Sequence, residues 1–388
     1  MSTSDLAAYL QRIPLFATLT EEECRDLAGA CTLRGASPGT VLCREGDAGL
    51  GLFFIEAGRA RVTKRTAQGA EQTLGELSPS SVVGEMSLVD GLPRSATVTM
   101  LSDGTVWSLS RSDFAALRDE LNPAAYKVLR HLAGVLCERL REINQNAESF
   151  WADPERTLED LRARRAAGVR AEPPAAPTPP SAALPACPTA RLDEGSSKTD
   201  VAGFLASVPL LSGLPREELE AFAEVLMPMP LAPGETLGHE GMVADAFYFV
   251  ARGQLAVRKK VPRGAPLTLS LAGPGTLLGE VSLIDGGPRS ATVVAPEAAL
   301  VLRCDRDDFE RLFNGGNPSA LRFVDRLATD LSRRVREANA RFADLHADSE
   351  TTVVELVKRA ALLGASLEGG EALADPAPLL RSIGLGES

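Results

Sequence analysis

Short β-rich runs fill the chain from Val41 to Ser110: Leu52-Phe53-Phe54-Ile55, Ala60-Arg61-Val62, Thr97-Val98-Thr99 and Val106-Trp107-Ser108-Leu109, each bounded by Gly, Pro or Asp. β-branched and aromatic residues in short runs between turn formers predict strands, and their spacing suits an antiparallel barrel or jelly roll. Before them, Phe16 and Leu19 lead into Thr20, with Glu23 three residues on and Leu27-Ala28 continuing the apolar face. That is the pattern of a capped helix. After Asn122-Pro123 the period changes, and Leu129, Leu132, Leu136, Leu140 and Ile143 recur at three- and four-residue steps. This predicts a long helix whose stripe packs on its own roll or on another helix, within the chain or in a homodimer.

The same succession returns later in the chain. A shift of 195 residues places Ile13-Pro14-Leu15 on Val208-Pro209-Leu210, Pro38-Gly39 on Pro233-Gly234, Glu45-Gly46 on Glu240-Gly241, Gly58 on Gly253 and Asn122-Pro123 on Asn317-Pro318, without a gap. The helical stripe recurs as Leu321, Val324, Leu327, Leu331 and Val335. An internal repeat of this length is a duplicated domain of about 150 residues. The expected organisation is a first domain over 1–165, a flexible Pro/Ala-rich linker over 166–200, a second domain over 201–360 and a tail over 361–388. The fold class is therefore mainly β with flanking α, as two tandem β-rolls with helices before and after each.

Composition narrows the function. With 41 basic and 52 acidic side chains the net charge is −11, which repels a polyanion and argues against nucleic acid as a partner. Six cysteines without a CxxC pair fit reduced thiols and a cytoplasmic protein. The first ten residues do not have the basic start and apolar run of a signal peptide. The uncharged stretch Pro173–Ala190 is broken by seven prolines, which rules it out as a membrane span.

The two copies are most alike in a turn. Gly84–Val98 reads GEMSLVDGLPRSATV and Gly279–Val293 reads GEVSLIDGGPRSATV, identical at twelve of fifteen positions. A glycine lets the backbone approach closely, a short helical turn follows, and Pro-Arg-Ser then enters the next strand. Amides at the start of that turn carry partial positive charge, Arg94 can hold two phosphate oxygens in a fork, and Ser95 adds a hydroxyl. Glu85 would repel an anion unless it has a partner of its own, and a ribose hydroxyl beside the phosphate is a natural one. A ring-closed nucleotide presents both groups together.

This combination, Gly-Glu, a short apolar turn and Pro-Arg-Ser-Ala-Thr-Val, resembles the phosphate-binding cassette of the cyclic nucleotide-binding domain family. That family includes the regulatory subunits of cAMP-dependent protein kinase, cyclic-nucleotide-gated channels and bacterial catabolite activators. The resemblance covers 13–150 and 208–345, including Gly46-Asp47 or Gly241-Met242 and the turn glycines Gly58 and Gly253. It implies that Glu85 and Glu280 accept the ribose 2′-hydroxyl and that Arg94 and Arg289 hold the equatorial phosphate oxygen. Gly84, Met86, Ser87 and Ser95, with Gly279, Val281, Ser282 and Ser290, would complete the phosphate cage. Base contacts would come from Arg139, Asn144, Arg334 and Asn339 on the helix after each roll, with Phe150 or Trp151 capping the base in the first copy, where the second has Leu345 and His346. The ligand implied is cAMP or cGMP, cAMP being preferred, with no cofactor and no metal.

Other features have plainer readings. Asp90 and Asp285 stand before Gly91 and Gly286 as turn residues and receive no role. Arg164-Arg165 faintly resembles a kinase pseudosubstrate, but it follows a repeated helix and reads as a charged helix end. Only His131, His239 and His346 are present, with no ligand spacing for a metal enzyme on a related roll. The reading is a non-catalytic receptor with two sites that signals to a protein effector. The alternatives are a transcription regulator, for which the tail offers too short a helix-turn-helix segment, and a scaffold that binds no ligand.

Overall fold

The computed structural model describes residues 3–65, 71–152, 192–260, 266–347 and 371–372. By its contacts the chain forms two compact units, Met1–Ala133 with Leu327–Ser332, and Gly134–Arg326 with Arg333–Ser388.

In the first unit, α1 (Thr3–Leu10) and α2 (Glu21–Gly29) precede the roll. The expected capping box at Thr20 is present: the Glu23 amide donates to Thr20 Oγ1 at 3.3 Å and the Thr20 amide donates to Glu23 Oε2 at 2.7 Å. Eight strands follow: β1 (Cys31–Ala36), β2 (Val41–Cys43), β3 (Gly51–Ala57), β4 (Ala60–Arg65), β5 (Glu71–Leu77), β6 (Val82–Val83), β7 (Thr97–Met100) and β8 (Gly104–Ser110). They form two four-stranded sheets, in the orders β1-β8-β3-β6 and β2-β7-β4-β5. The turn α3 (Glu85–Asp90) lies between β6 and β7. After the roll come α4 (Arg111–Asp119) and α5 (Pro123–Ala152), the latter 30 residues long. Pro123 stands at the first helical position, and Asn122 Oδ1 accepts the Ala124 amide at 2.9 Å, which explains why the helix begins there.

The second unit repeats this order. α6 (Lys198–Ser207) and α7 (Arg216–Ala223) lead into β9 (Leu226–Leu231), β10 (Thr236–Gly238), β11 (Ala246–Arg252), β12 (Leu255–Lys259), β13 (Leu267–Ala272), β14 (Leu277–Leu278), the turn α8 (Glu280–Asp285), β15 (Thr292–Val294) and β16 (Ala299–Asp305). Helices α9 (Arg306–Asn314) and α10 (Pro318–Ala347) close it. The strand orders match, with a short β17 (Glu371–Ala372), from the stretch expected to be a tail, added beside β13.

The repeat extends to irregularities in the ladders. The register of β3 against β8 shifts between Ile55 and Ala57, and that of β11 against β16 between Val250 and Arg252. The shift between Val62 and Thr63 has its counterpart between Val257 and Arg258. Bulges bend a strand and set its twist, so both rolls close through the same bends. Gly58 and Gly253 make the tight turn that follows, at φ of 95° and 79°. A Cβ there would lie 2.9 Å from the Asp103 carbonyl oxygen or 2.7 Å from that of Ala298.

Two boundaries differ from the sequence reading. The helix α6 begins at Lys198, inside the stretch read as linker, and Leu192 before it is buried, its carbonyl accepting from Arg252 at 3.4 Å. Ser197 and Asp200 form a capping box at its start, and a capped helix with Val201, Phe204 and Leu205 buried belongs to a folded domain. The division into compact units falls inside α5, not at 165. Thirty helical residues rise about 45 Å, so the early and late turns of α5 belong to different units. Residues 166–191 and Arg164-Arg165 lie outside the described residues. Among the described residues, no helix is long and apolar enough to cross a membrane.

Where the second roll meets its closing helices the packing is aromatic. Phe247 on β11 stacks on Phe323 of α10 with centroids 5.4 Å apart and lies 5.6 Å from Phe309 and 5.9 Å from Phe249, and all four are fully buried. Replacing such a ring leaves a void the surroundings fill incompletely. Phe247→Ala is therefore expected to cost about 3–5 kcal/mol, seen as a lower urea midpoint by circular dichroism. An unchanged midpoint would contradict this packing.

Glu23 ties α2 to α5 through Lys127, at 2.7 Å. Burial alone would raise its carboxyl, but the hydrogen bonds from Lys127 and from the Thr20 amide, with the charge of Lys127, hold it below the usual carboxylate value. A depressed folded-state value contributes stability above the unfolded value and loses it as pH falls through the folded one. Glu23→Gln should therefore lower the melting temperature at pH 7, and the gap to wild type should close as the pH is brought below 4. A gap that stays constant would show that the charge is not responsible.

Candidate functional site

Both phosphate-type turns are built on a left-handed glycine. Gly84 and Gly279 have φ of 88° and 85° and stand just before α3 and α8. What forces glycine here is the arginine ten residues on. A Cβ on Gly84 would lie 1.5 Å from Arg94 Nη1, and one on Gly279 would lie 2.7 Å from Arg289 Nη1. The guanidinium occupies the space that any other residue would fill.

The arginines are held inside the roll. The Arg94 amide donates to the Asp47 carbonyl at 2.9 Å and its carbonyl accepts from Gly46 at 2.9 Å, and Arg289 makes the same pair of bonds with Met242 and Gly241 at 2.8 and 2.9 Å. Arg94 is 6% exposed and Arg289 9%. Arg94 Nη2 donates to the Gly51 carbonyl, and Arg289 Nη2 donates to that of Ala246 at 3.1 Å. Each guanidinium also lies over a ring, Phe53 at 5.7 Å and Tyr248 at 5.3 Å. Asp245 adds a carboxylate 3.8 Å from Arg289. Among the described residues, Arg94 Nε and Nη1 are buried and have no hydrogen-bond partner. Buried polar groups are normally satisfied, and a guanidinium with two idle donors offers a binding site to an anion, which accepts.

In the second unit the predicted residues come together. Gly279, Glu280, Val281, Ser282, Arg289 and Ser290 line one pocket, walled by Val257, Leu278 and Val293. Ser282 is buried and its hydroxyl donates to the Pro288 carbonyl at 3.1 Å. In the first unit Gly84 and Ser87 stand at the corresponding turn, Ser87 buried and Ser95 exposed. Glu85 and Met86 belong to α3, with side chains outside the described residues.

The residues expected to meet a base behave differently. Arg334 of α10 is buried and pairs with Glu280, Nη1 to Oε1 at 2.5 Å, both side chains about one-twentieth exposed. It therefore contacts the carboxylate expected to take the ribose. Arg139 is half-buried on α5, and Asn144 is buried with its Oδ1 unpartnered. Asn339 and the capping candidates Phe150, Trp151, Leu345 and His346 fall on α5 or α10 with side chains outside the described residues.

Several neighbours were not legible as site residues. Arg306 Nη2 donates to the Ser282 carbonyl at 2.6 Å and to that of Ala244 at 3.1 Å, bracing the turn from the end of β16. Its repeat partner Arg111 packs where a Cβ on Gly91 would lie, so the shared arginine after each roll was a usable signal. Lys259, 6% exposed, donates to the Ser290 carbonyl at 3.0 Å and pairs with Glu240 at 3.0 Å. Asp90 and Asp285, read as turn residues alone, do accept the amides two residues on, at 2.9 and 2.8 Å. They also bind helix side chains: Ser332 Oγ donates to Asp90 Oδ2 at 2.5 Å, and Arg141 Nε donates to Asp285 Oδ2 at 2.5 Å. The reading that gave them no further part is corrected accordingly.

Comparison with known proteins agrees with this geometry. A family model described as the cyclic nucleotide-binding domain matches residues 33–120 and 228–315. A cAMP-dependent protein kinase regulatory subunit of Yarrowia lipolytica is 26% identical over 298 residues, 77% of this chain and 58% of that protein. A cyclic AMP receptor protein of Thermus thermophilus is 37% identical over 130 residues, 33% of this chain and 58% of that protein. A CRP-like cAMP-activated global transcriptional regulator of Mycobacterium tuberculosis is 28% identical over 142 residues, 37% of this chain and 62% of that protein. The chain thus spans about three-fifths of the length of these relatives. Both turns, with their glycines and arginines, fall within the matched segments, and the chain carries two cyclic nucleotide-binding domains in tandem.

Proposed function

We propose that the chain is a non-catalytic receptor that takes one cyclic nucleotide in each roll and passes its state to a protein effector. The observation that carries this reading is the buried Arg94 guanidinium with two unpartnered nitrogens beneath the Gly84 turn. A cyclic phosphate supplies the acceptors those nitrogens lack, as a charge-assisted pair. Arg289 does the same in the second roll. Glu85 and Glu280 take the ribose 2′-hydroxyl. Glu280 can do so while paired with Arg334, because a carboxylate has a second oxygen to offer. The preferred ligand is cAMP: the relatives named above carry cAMP in their names, and the one that matches across both copies is a kinase regulatory subunit. A cytoplasmic location and a kinase-like effector belong to this reading too.

The mechanism proposed runs from the turn to the helices. Phosphate capture draws α3 or α8 onto the arginine. At the second site the ribose hydroxyl shares Glu280 with Arg334, so occupancy is felt directly by α10. A ligand can shift such an arrangement only by as much as it favours one state over the other.

Calorimetric titration with cAMP and separately with cGMP tests the reading. Wild type is expected to show two sites, Arg94→Ala and Arg289→Ala one each, and the double variant none, each lost site weakening about 100-fold, the scale of a lost buried charge-assisted pair. No binding of either nucleotide to wild type would leave a scaffold in place of a receptor. The role of Glu280 has its own test. In an Arg94→Ala background, 2′-deoxy-cAMP should bind the second site about tenfold more weakly than cAMP, and Glu280→Gln should remove most of that difference. A difference that persists unchanged in Glu280→Gln would place the hydroxyl elsewhere.

A further inference from the structure

Asp90 and Asp285 close their turns alike, each through Oδ1 to the amide two residues on, and both also reach helix side chains. In the first unit Ser332 Oγ donates to Asp90 Oδ2 at 2.5 Å. In the second a guanidinium from the later part of α5 is seated on the carboxylate. Arg141 Nε donates to Asp285 Oδ2 at 2.5 Å and Nη2 to Oδ1 at 3.1 Å, while Nη2 also lies 3.4 Å from Ser282 Oγ. Two N–H groups on one carboxylate form the geometrically selective fork that lysine does not reproduce. The pair is largely desolvated, with side chains 20% and 7% exposed.

The sequence of the turn carries a matching mark. Among the three positions where the two fifteen-residue segments differ is Leu92, which is Gly287 in the second copy. A Cβ on Gly287 would lie 2.8 Å from Arg141 Nη2, 3.1 Å from its Cζ and 3.1 Å from Asp285 Oδ1. A leucine beside that fork would displace it. The second copy has glycine at the point where the α5 arginine is seated.

We propose that Arg141 is a positioning residue of the second site, holding the far end of α8 so that its near end is set for the ligand. The inference rests on the reading that this cavity takes a cyclic nucleotide. α8 is six residues long, about 9 Å of helix. Asp285 ends it, while Gly279–Ser282 at its start line the cavity. A rigid turn this short transmits a constraint at one end to the other. Arg141 touches Ser282 as well, so it holds both the anchor and a lining residue. Binding couplings are reciprocal: the seated Arg141 strengthens ligand binding at the second site, and the ligand there tightens the seat of α5. Arg141 is seated on Asp285 of the second turn, so its effect belongs to the second site.

The test uses the full chain and cAMP. With the first site silenced by Arg94→Ala, Arg141→Ala is expected to weaken second-site binding about tenfold or more, Arg141→Lys by an intermediate factor, and Gly287→Leu as much as Arg141→Ala, since loss of the fork is common to all three. With the second site silenced by Arg289→Ala, Arg141→Ala should leave first-site affinity within twofold. Cys137, fully buried one helical turn before Arg141, gives a readout apart from affinity. Its alkylation, followed by mass spectrometry, should be slowed by cAMP in the Arg94→Ala chain and not when Arg141→Ala is added. Second-site affinity unchanged by Arg141→Ala, or an equal loss at both sites, would overturn the inference while leaving the receptor reading intact. Wild type that binds no cyclic nucleotide would overturn both.

Discussion

An arginine kept inside a β-roll is the constraint on which each half of this protein turns. A guanidinium below one-tenth exposure is costly unless its charge and its donors are answered. The rolls answer in part with a backbone carbonyl from β3 or β11 and with a ring beneath the guanidinium. The side chain also needs a route, which is the Cβ space left empty by Gly84 and Gly279. The shared register shifts in the ladders make both rolls bend alike, so that the turn and the arginine meet. Fold and site are in this sense one requirement.

Much of this could be read from the chain because it is local or repeated. The capping box at Thr20 is set by residues three apart, and the strand runs from Leu52 to Leu109 are set by alternation and turn formers. The cassette stood out because a turn resembled its copy more than the strands did. What escaped was decided by tertiary packing. Arg141 reaches Asp285 across 144 residues, and nothing in the sequence of its helix distinguishes it from Arg139. Arg334 was placed on the right helix for a site residue, yet its partner is a carboxylate on α8, a choice that helix periodicity does not encode. The start of α6 was hidden by composition: the Pro/Ala bias of the preceding stretch masked Ser197 and Asp200, whose spacing does mark a helix start.

The duplication has also diverged in a directed way. The residues that would touch a ligand are largely retained, while differences collect one step behind them. Tyr248 stands where the first copy has Phe53, Gly287 where it has Leu92, and Asp245 where it has Leu50. The second arginine has a phenolic oxygen at 3.5 Å and a carboxylate at 3.8 Å, whereas two nitrogens of the first have no hydrogen-bond partner among the described residues. Two turns of one sequence pattern thus begin from different resting electrostatics.

The fork on Asp285 extends this to the medium. Its arginine side is one-fifth exposed and within reach of mobile ions. Rising ionic strength therefore loosens the fastening of α8, so the firmness of the second turn answers to the salt around it.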